Sequence, residues 1–150
     1  MLLTGTFVRT VDDKLRVAIP KRLRDGLVRE GKPELYVTPG IDGSLAIYSP
    51  GTLEELARKL AESSPTKKEV RGFSRLFYAR AEQVEIDVQG RVRIPRILAD
   101  LAGLKKEAVL LGVHDHVEIW DRDRWEGYLT EHAQRYDEIA EQAFQPPNTP

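Results

Sequence analysis

Paired carboxylate and guanidinium groups recur at one spacing in this chain of 150 residues. Asp12 stands four residues before Arg16, and Asp87 stands four residues before Arg91. Across a tight turn, such an Asp can accept hydrogen bonds from turn N–H groups and hold the Arg side chain in place. The carboxylate is then a support, while the guanidinium presents its donors to phosphate or to the edge of a guanine base.

Each pair belongs to a longer segment that the chain contains twice, over residues 12–20 and 87–95. The copies share Asp, Arg, Val, Ile and Pro at one constant offset. From the Arg onward, Val and Ile alternate with other residues, which predicts a half-buried β-strand with a cationic outer face. Gly90 supplies a turn before the second strand. The Pro that closes each copy suits the first position of a short amphipathic helix.

The segments that follow the two copies are also repeated. Each repeat continues with a predicted hairpin, with strands over 35–38 and 45–48 in the first and over 109–111 and 117–120 in the second. The second hairpin loop is predicted over Gly112–His116, and helix starts are predicted at Ser49 and Asp121. One repeat has only about 50 residues, near the size at which an isolated core becomes marginal. The repeats are therefore predicted to pack together as one intramolecular pseudo-dimer.

Helices are predicted around the second repeat. Apolar spacing indicates a helix over 50–62, a second from Lys67 to about Val84, and a long one from Asp121 to Phe144. The broad apolar face of the long helix either closes the core or meets a neighbouring subunit. The predicted organisation is a first repeat with its following helix (1–62), a connecting helical segment (63–80), a second repeat with a C-terminal helix (81–144) and a disordered tail (145–150).

The net charge of −1 does not by itself indicate a nucleic-acid partner, but the distribution of charge does. Basic residues surround both motifs, whereas the last third of the chain carries the balancing acid. A basic face on two repeated strands can bind phosphates although the whole molecule is near neutral. The basic residues around the first motif are Arg9, Lys14, Arg16, Lys21, Arg22 and Arg24.

Several classes of function find no support in the sequence. The absence of cysteine excludes disulfides and thiolate metal sites and fits a reducing cytoplasm. No apolar run suits a signal peptide or a membrane helix, so a soluble intracellular protein is expected. His114 and His116 have the spacing of some metal ligands, but their place in a hairpin turn favours turn chemistry. With no nucleophile elbow or phosphate loop, we expect no enzyme, no metal and no cofactor.

Two copies of Asp-x-x-x-Arg-x-x-Ile-Pro resemble the MraZ family of bacterial transcriptional regulators, and each repeat looks like an AbrB-type swapped-hairpin unit. The resemblance extends from Gly5 to about Leu129 and includes Arg75–Leu–Phe before the second repeat. It implies an α+β fold of two tandem swapped-hairpin AbrB-like β repeats, packed as an intramolecular pseudo-dimer, with connecting and C-terminal helices. One residue departs from the family pattern: Leu15 precedes the first motif's Arg where the family favours Gly.

The resemblance also implies a function. MraZ proteins control the division and cell-wall gene cluster, bind short tandem repeats upstream of it, and associate into rings. We therefore expect a sequence-specific double-stranded DNA-binding regulator, acting as a ring at tandem promoter repeats that include its own promoter. It would be cytoplasmic and nucleoid-associated.

The expected DNA-binding residues come from both repeats and their flanks: Arg9, Lys14, Arg16, Lys21, Arg91 and Arg93. Arg16 and Arg91 are expected at the bases and the other four at phosphates, because the Arg fork can bond guanine bidentately. Asp12 and Asp87 are expected to support the motif. Two alternatives stay open: an AbrB-type antitoxin, or a binding module for an acidic protein partner without a nucleic-acid role.

Overall fold

A computed structural model describes residues 2–28 and 31–146 of the chain. The strands are β1 (Thr6–Thr10), β2 (Arg16–Ala18), β3 (Glu34–Pro39), β4 (Leu45–Tyr48), β5 (Glu82–Glu85), β6 (Arg91–Arg93), β7 (Glu107–Val113) and β8 (His116–Asp121). The helices are α1 (Lys21–Leu27), α2 (Pro50–Ala61), α3 (Lys68–Arg80), α4 (Arg96–Leu101), α5 (Arg122–His132) and α6 (Tyr136–Ala143), with a 3₁₀ segment, Ala133–Arg135, before α6.

The strands of the two repeats are interleaved. In the larger sheet the order is β1-β7-β8-β4-β3-β5, and every neighbouring pair is antiparallel. The first strand of each repeat pairs with the hairpin of the other, since β1 pairs with β7 and β5 pairs with β3. The remaining strands, β2 and β6, form a separate two-stranded ribbon. The predicted α+β pseudo-dimer of swapped hairpins is therefore confirmed.

Two strand pairs mark an approximate twofold axis. In the ribbon, Val17 of β2 lies opposite its repeat equivalent Val92 of β6. In the larger sheet, Ala46 of β4 lies opposite its equivalent Glu118 of β8. Because equivalent residues pair at both points, an approximate twofold rotation relates the two repeats.

The core lies beneath the ribbon, as the alternation in the two motifs predicts. Val17, Ile19, Val92 and Ile94 are at most 2% exposed, and they belong to one cluster of buried apolar side chains. Burial of one such side chain stabilises a fold by roughly 1.5–3 kcal/mol, so these four residues anchor the ribbon firmly. The inner face of each strand thus fixes where its outer face points.

The helix starts follow the expected chemistry with one small shift. The Ser49 hydroxyl accepts a hydrogen bond from the Thr52 N–H, and the Asp121 carboxylate accepts one from the Asp123 N–H, so both predicted N-caps are confirmed. Pro20 and Pro95 occupy the capping position just before α1 and α4 rather than the first helical residue.

Two predicted segments had the wrong bounds. The helix expected to continue to Val84 ends at Arg80, because residues 82–85 pair with β3 as an edge strand. The hairpin loop expected over 112–116 is shorter, since β7 continues to Val113 and β8 begins at His116. Gly112 lies within the strand, where its N–H bonds the Gly5 carbonyl and where a Cβ would collide with the backbone of Thr4.

The long C-terminal helix is in fact two helices with a 3₁₀ segment between them. Trp125 and Tyr128 of α5 pack on Trp120 at the end of β8, so this part covers a small second core. In contrast, Tyr136 and Phe144 are 72% and 87% exposed. Residues 147–150 of the predicted tail lie outside the described residues. No helix in the described ranges has the length and apolarity needed to span a membrane.

Candidate nucleic-acid interface

The turn of the first motif is organised by one carboxylate. Oδ1 of Asp12 accepts hydrogen bonds from the backbone N–H groups of Lys14, at 2.9 Å, and Arg16, at 2.8 Å. Oδ2 of Asp12 accepts a hydrogen bond from the Arg16 Nε at 2.7 Å. One side chain therefore fixes both the backbone of the turn and the direction of the guanidinium that leaves it.

The turn of the second motif repeats this arrangement. Oδ1 of Asp87 accepts hydrogen bonds from the N–H groups of Gln89 and Arg91, both at 2.9 Å. Oδ2 accepts one from the Arg91 Nε at 3.1 Å. The backbone N–H of Asp87 also bonds the Arg91 carbonyl, and Gly90 bonds the Asp87 carbonyl, as in the first turn. The geometry that the Asp-x-x-x-Arg spacing predicted is present twice.

These contacts change the acidity of both carboxyl groups. The hydrogen bond from the Arg16 N–H, followed by the contact with the Arg16 side chain, lowers the pKa of Asp12 below its ordinary value. The equivalent bonds from Arg91 lower the pKa of Asp87. Both groups are therefore ionised throughout the physiological range, and each stays paired with its Arg.

The ribbon brings three Arg side chains from two repeats onto one face. Arg16 lies opposite Arg93 across the strand pair, and Arg91 lies opposite Ala18. Since Val17 and Val92 point into the core, these four residues share the outer face. The Nε of Arg16 donates to Asp12 and the Nε of Arg91 donates to Asp87. The two Nη groups of each Arg have no hydrogen-bond partner among the described residues. The outer Nη edges are therefore available to a ligand.

The other expected residues are less closely grouped. Lys14 is exposed on the first turn, beside Arg16. Lys21 lies on α1, where its Nζ forms an exposed ion pair with Asp25 at 2.7 Å. Arg9 lies on β1 in the larger sheet, with its guanidinium 5.8 Å from the centre of the Phe7 ring and bonded to the Val8 carbonyl. The ribbon and its turns thus hold Lys14, Arg16, Arg91 and Arg93, while Lys21 and Arg9 flank them.

Leu15, at the position where the resemblance led us to expect Gly, has the same left-handed turn conformation as Gly90 of the second motif. Its φ is +60°, in the left-handed region, and the φ of Gly90 at the equivalent position is +81°. The Leu15 carbonyl accepts a bond from Ile94 at 2.8 Å, and the Gly90 carbonyl accepts one from Ile19 at 2.9 Å. The Leu15 side chain is half-buried against the main core. The departure from Gly therefore leaves the backbone of the first turn intact.

Sequence reasoning missed the position of Arg24. The sequence places it beside the first motif, but its guanidinium lies on Gly90, in the turn of the second motif. Its Nε donates a hydrogen bond of 2.8 Å to the Ile19 carbonyl. No spacing along the chain signals this contact, because the two residues belong to different repeats.

The two candidate metal ligands lie at a hairpin turn. His116 Nδ1 is 2.9 Å from the Asp115 carboxylate, and its ring stacks on Tyr48 at 5.1 Å. His114 has a φ of +65° and lies in the turn itself. Within residues 2–28 and 31–146, no group of three or more His, Asp or Glu side chains could hold a metal ion.

The chain matches known proteins over nearly its whole length. Residues 2–76 and 77–146 each match the family described as "MraZ protein, putative antitoxin-like". The solution structure of PHS018 from Pyrococcus horikoshii aligns with 77% of this chain and 96% of its own, at 21% identity and with a TM-score of 0.32.

Curated relatives of this chain carry the name Transcriptional regulator MraZ. The protein from Finegoldia magna is 37% identical over 90% of this chain and 92% of its own length. The protein from Pelotomaculum thermopropionicum is 41% identical over 91% and 92%, and that from Mesoplasma florum is 35% identical over 97% of both chains. Because both repeats match the family and these relatives align over at least 90% of each chain, this chain belongs to the MraZ family.

Proposed function

We propose that this protein is a sequence-specific double-stranded DNA-binding transcriptional regulator, without enzymatic activity. The observation that carries the proposal is the ribbon, which gathers Arg16, Arg91 and Arg93 from two repeats on one outer face. A carboxylate that stays ionised orients each motif Arg through its Nε. Within the described residues the Nη groups of these two Arg side chains have no hydrogen-bond partner, so they are available to a ligand. Relatives named as transcriptional regulators support the same function.

The proposed contacts divide into two classes. Arg16 and Arg91 read bases, because a guanidinium fixed at Nε presents its Nη groups in the planar fork that matches the N7 and O6 acceptors of guanine. Lys14 and Arg93, with Arg9 and Lys21 at the flanks, contact phosphates and supply affinity that falls with salt. Asp12 and Asp87 make no contact with DNA and act by holding the turns.

The proposed target is the division and cell-wall gene cluster, at short tandem repeats that include the protein's own promoter. A regulator of this kind acts in the cytoplasm and associates with the nucleoid. Several protomers on adjacent repeats would gain affinity by effective concentration, since each further contact is then intramolecular. Tandem sites therefore favour an oligomeric reader.

Two exposed apolar surfaces of this chain are available for self-association. A groove of about 560 Å³ lies between α3 and the β3–β4 hairpin, and its apolar lining includes Ile41 and Leu76, which are 75% and 58% exposed. An apolar face on α6 is also open, with Tyr136 72% exposed. The described part of α3 carries four basic residues and one acidic, whereas α6 carries three acidic residues and no basic one.

We propose that α6 of one copy docks against the α3 groove of the next. Apolar surfaces would meet between helices of opposite charge, and steering by those charges favours the pairing. The contact is heterologous, joining different surfaces of two copies, so it generates a ring when the rotation between protomers closes. A ring would carry many ribbons at once.

The first experiment measures binding of the full chain to DNA from just upstream of its own gene, by fluorescence anisotropy across a salt series. A scrambled duplex of equal length is the control. We expect a strong preference for the native duplex, with log K falling linearly against log salt. The variant Arg16→Ala/Arg91→Ala should keep its fold and lose this preference, since each bidentate base contact contributes roughly 1–3 kcal/mol of discrimination.

The outcomes separate the candidate functions. Wild-type affinity in the double variant would show that the motif Arg residues do not read the DNA. Equal, weak binding to both duplexes would overturn sequence specificity at this site. No binding at low salt would overturn the DNA function and favour an acidic protein partner for the same cationic face.

The second experiment measures the mass of the protein in solution by sedimentation velocity. We expect wild-type protein to form oligomers and the variants Leu76→Asp and Tyr136→Asp to dissociate, because each places a carboxylate in the proposed contact. Both residues are largely exposed, so neither change should unfold the protomer. Leu2→Asp, at a residue 76% exposed and outside the groove, is the matched control. Intact oligomers in both interface variants would contradict the proposed contact.

A further inference from the structure

The second turn is covered by a side chain from the first repeat. Arg24 leaves α1 and lays its guanidinium over Gly90, so that a Cβ built at Gly90 would lie 2.8 Å from Cζ and 3.0 Å from Nη1 of Arg24. A side chain at position 90 would force this guanidinium, the far end of a flexible side chain, to shift. The Nε of Arg24 is tied to the Ile19 carbonyl at 2.8 Å. The turn that presents Arg91 is therefore completed by the other repeat.

The residue equivalent to Arg24 in the second repeat carries no charge. At the positions equivalent to Gly90 and Arg24, the chain has Leu15 and Ala99. The backbones of the two turns correspond, because Leu15 and Gly90 make equivalent bonds to Ile94 and Ile19. The Leu15 side chain therefore takes the room that Arg24 takes over Gly90, and it packs against the core instead of presenting charge.

We propose that Arg24 is a DNA-contacting residue of the second motif, binding a phosphate beside the base read by Arg91. The inference rests on the proposed DNA-binding function and names one further contact at that site. Arg24 is half-buried, and its Nη groups have no hydrogen-bond partner among residues 2–28 and 31–146. A guanidinium held through Nε is already oriented, so it loses little conformational freedom when a phosphate binds its outer edge.

A purely structural role for Arg24 gives a different expectation. If the side chain only filled the space over Gly90, its replacement would lower stability but leave the number of phosphate contacts unchanged. A phosphate contact contributes about 0.9 to the slope of log K against log salt. The salt slope of a folded variant therefore separates the two roles.

The test uses the full chain, the native upstream duplex and three variants of one residue. Arg24→Gln and Arg24→Met remove the charge, and the straight Met side chain still fills the space over Gly90. We expect both to weaken binding roughly tenfold, as for loss of one charge-assisted hydrogen bond, and to reduce the salt slope by about 0.9. Arg24→Lys should keep most of the slope, because it keeps the cation.

Arg58→Gln is the matched control, since it removes an exposed positive charge from α2, which packs on β3 and β4 rather than on the ribbon. It should leave the slope unchanged. An unchanged slope in folded Arg24→Gln or Arg24→Met would overturn the inference while leaving the proposed function intact. A wild-type protein without preference for the native duplex would instead overturn the proposed function itself.

Discussion

The two motif turns share their hydrogen bonds but differ in the side chains that fill them. In each, an Asp accepts two backbone N–H bonds and one from an Arg Nε. Residues 12–18 hold two acidic and two basic side chains, whereas residues 87–93 hold one acidic and two basic. Arg24 adds a further cation to the second turn. The repeats therefore preserve the geometry that aims the motif Arg and differ in the charge around it.

Two separate features favour glycine at these turns: a left-handed backbone conformation and the close approach of another side chain. A left-handed conformation costs a residue with a side chain roughly 1–2 kcal/mol. Leu15 tolerates this cost at φ +60° because its side chain is half-buried against the core. Gly90 has the same conformation at φ +81°, but there a side chain would also strike Arg24. Left-handed strain and the shift that a side chain would impose on Arg24 therefore both favour glycine in the second turn.

Exchanging the two turn residues should produce the largest effect on stability. We expect Gly90→Leu to lower the free energy of unfolding by about 2–4 kcal/mol, because it adds left-handed strain and displaces a partly buried guanidinium. Leu15→Gly should change it by less than about 1 kcal/mol, since relief of strain offsets the lost packing. Urea denaturation followed by circular dichroism measures both.

A double variant separates the cost of left-handed strain at residue 90 from the cost of displacing Arg24. In Gly90→Leu/Arg24→Ala, the second turn takes the Leu and Ala pair that the first turn has at Leu15 and Ala99. This double variant should therefore be more stable than Gly90→Leu alone, a non-additivity expected only for residues in contact. Equal destabilisation by Leu15→Gly and Gly90→Leu would contradict the distinction between the turns.

Much of the fold was predictable because the same sequence pattern occurs in both repeats. The alternation of Val and Ile predicts the buried face of the ribbon, and the Asp and Arg spacing predicts the bonds within each turn. The end of α3 was not predictable from its apolar stripe, because residues 82–85 become a strand only through pairing with β3. The contact of Arg24 with Gly90 was equally hidden, since it depends on how two repeats are packed and not on spacing within either.

The hairpin loops give a second, smaller contrast between the repeats. Asp42 and His114 are equivalent and adopt nearly the same left-handed φ, +66° and +65°. Two residues further along, Ser44 is equivalent to His116, so only the second hairpin has an imidazole at this position. Oε2 of Glu118 lies 3.7 Å from His116 Nε2, and Oδ1 of Asp115 lies 2.9 Å from Nδ1.

These carboxylates should make stability depend weakly on pH through His116. Glu118 foremost, then Asp115, raises the pKa of His116 despite its burial beside Tyr48. A raised folded pKa means that the charged ring stabilises the fold fully below the unfolded pKa of about 6.5, and that this stabilisation is lost as pH rises through the folded value.

The melting temperature of His116→Gln should therefore lie below that of wild type at pH 6 and approach it at pH 9. We expect a difference of about 1–4 °C at pH 6, because a partly exposed ion pair contributes roughly 0.2–1 kcal/mol. His132→Gln removes another ring that stacks on a tyrosine, Tyr128, and bonds its carbonyl, so it controls for the loss of a packed histidine elsewhere. A His116→Gln difference that stays constant from pH 6 to 9 would mean that the ring contributes by packing on Tyr48 and not by its charge.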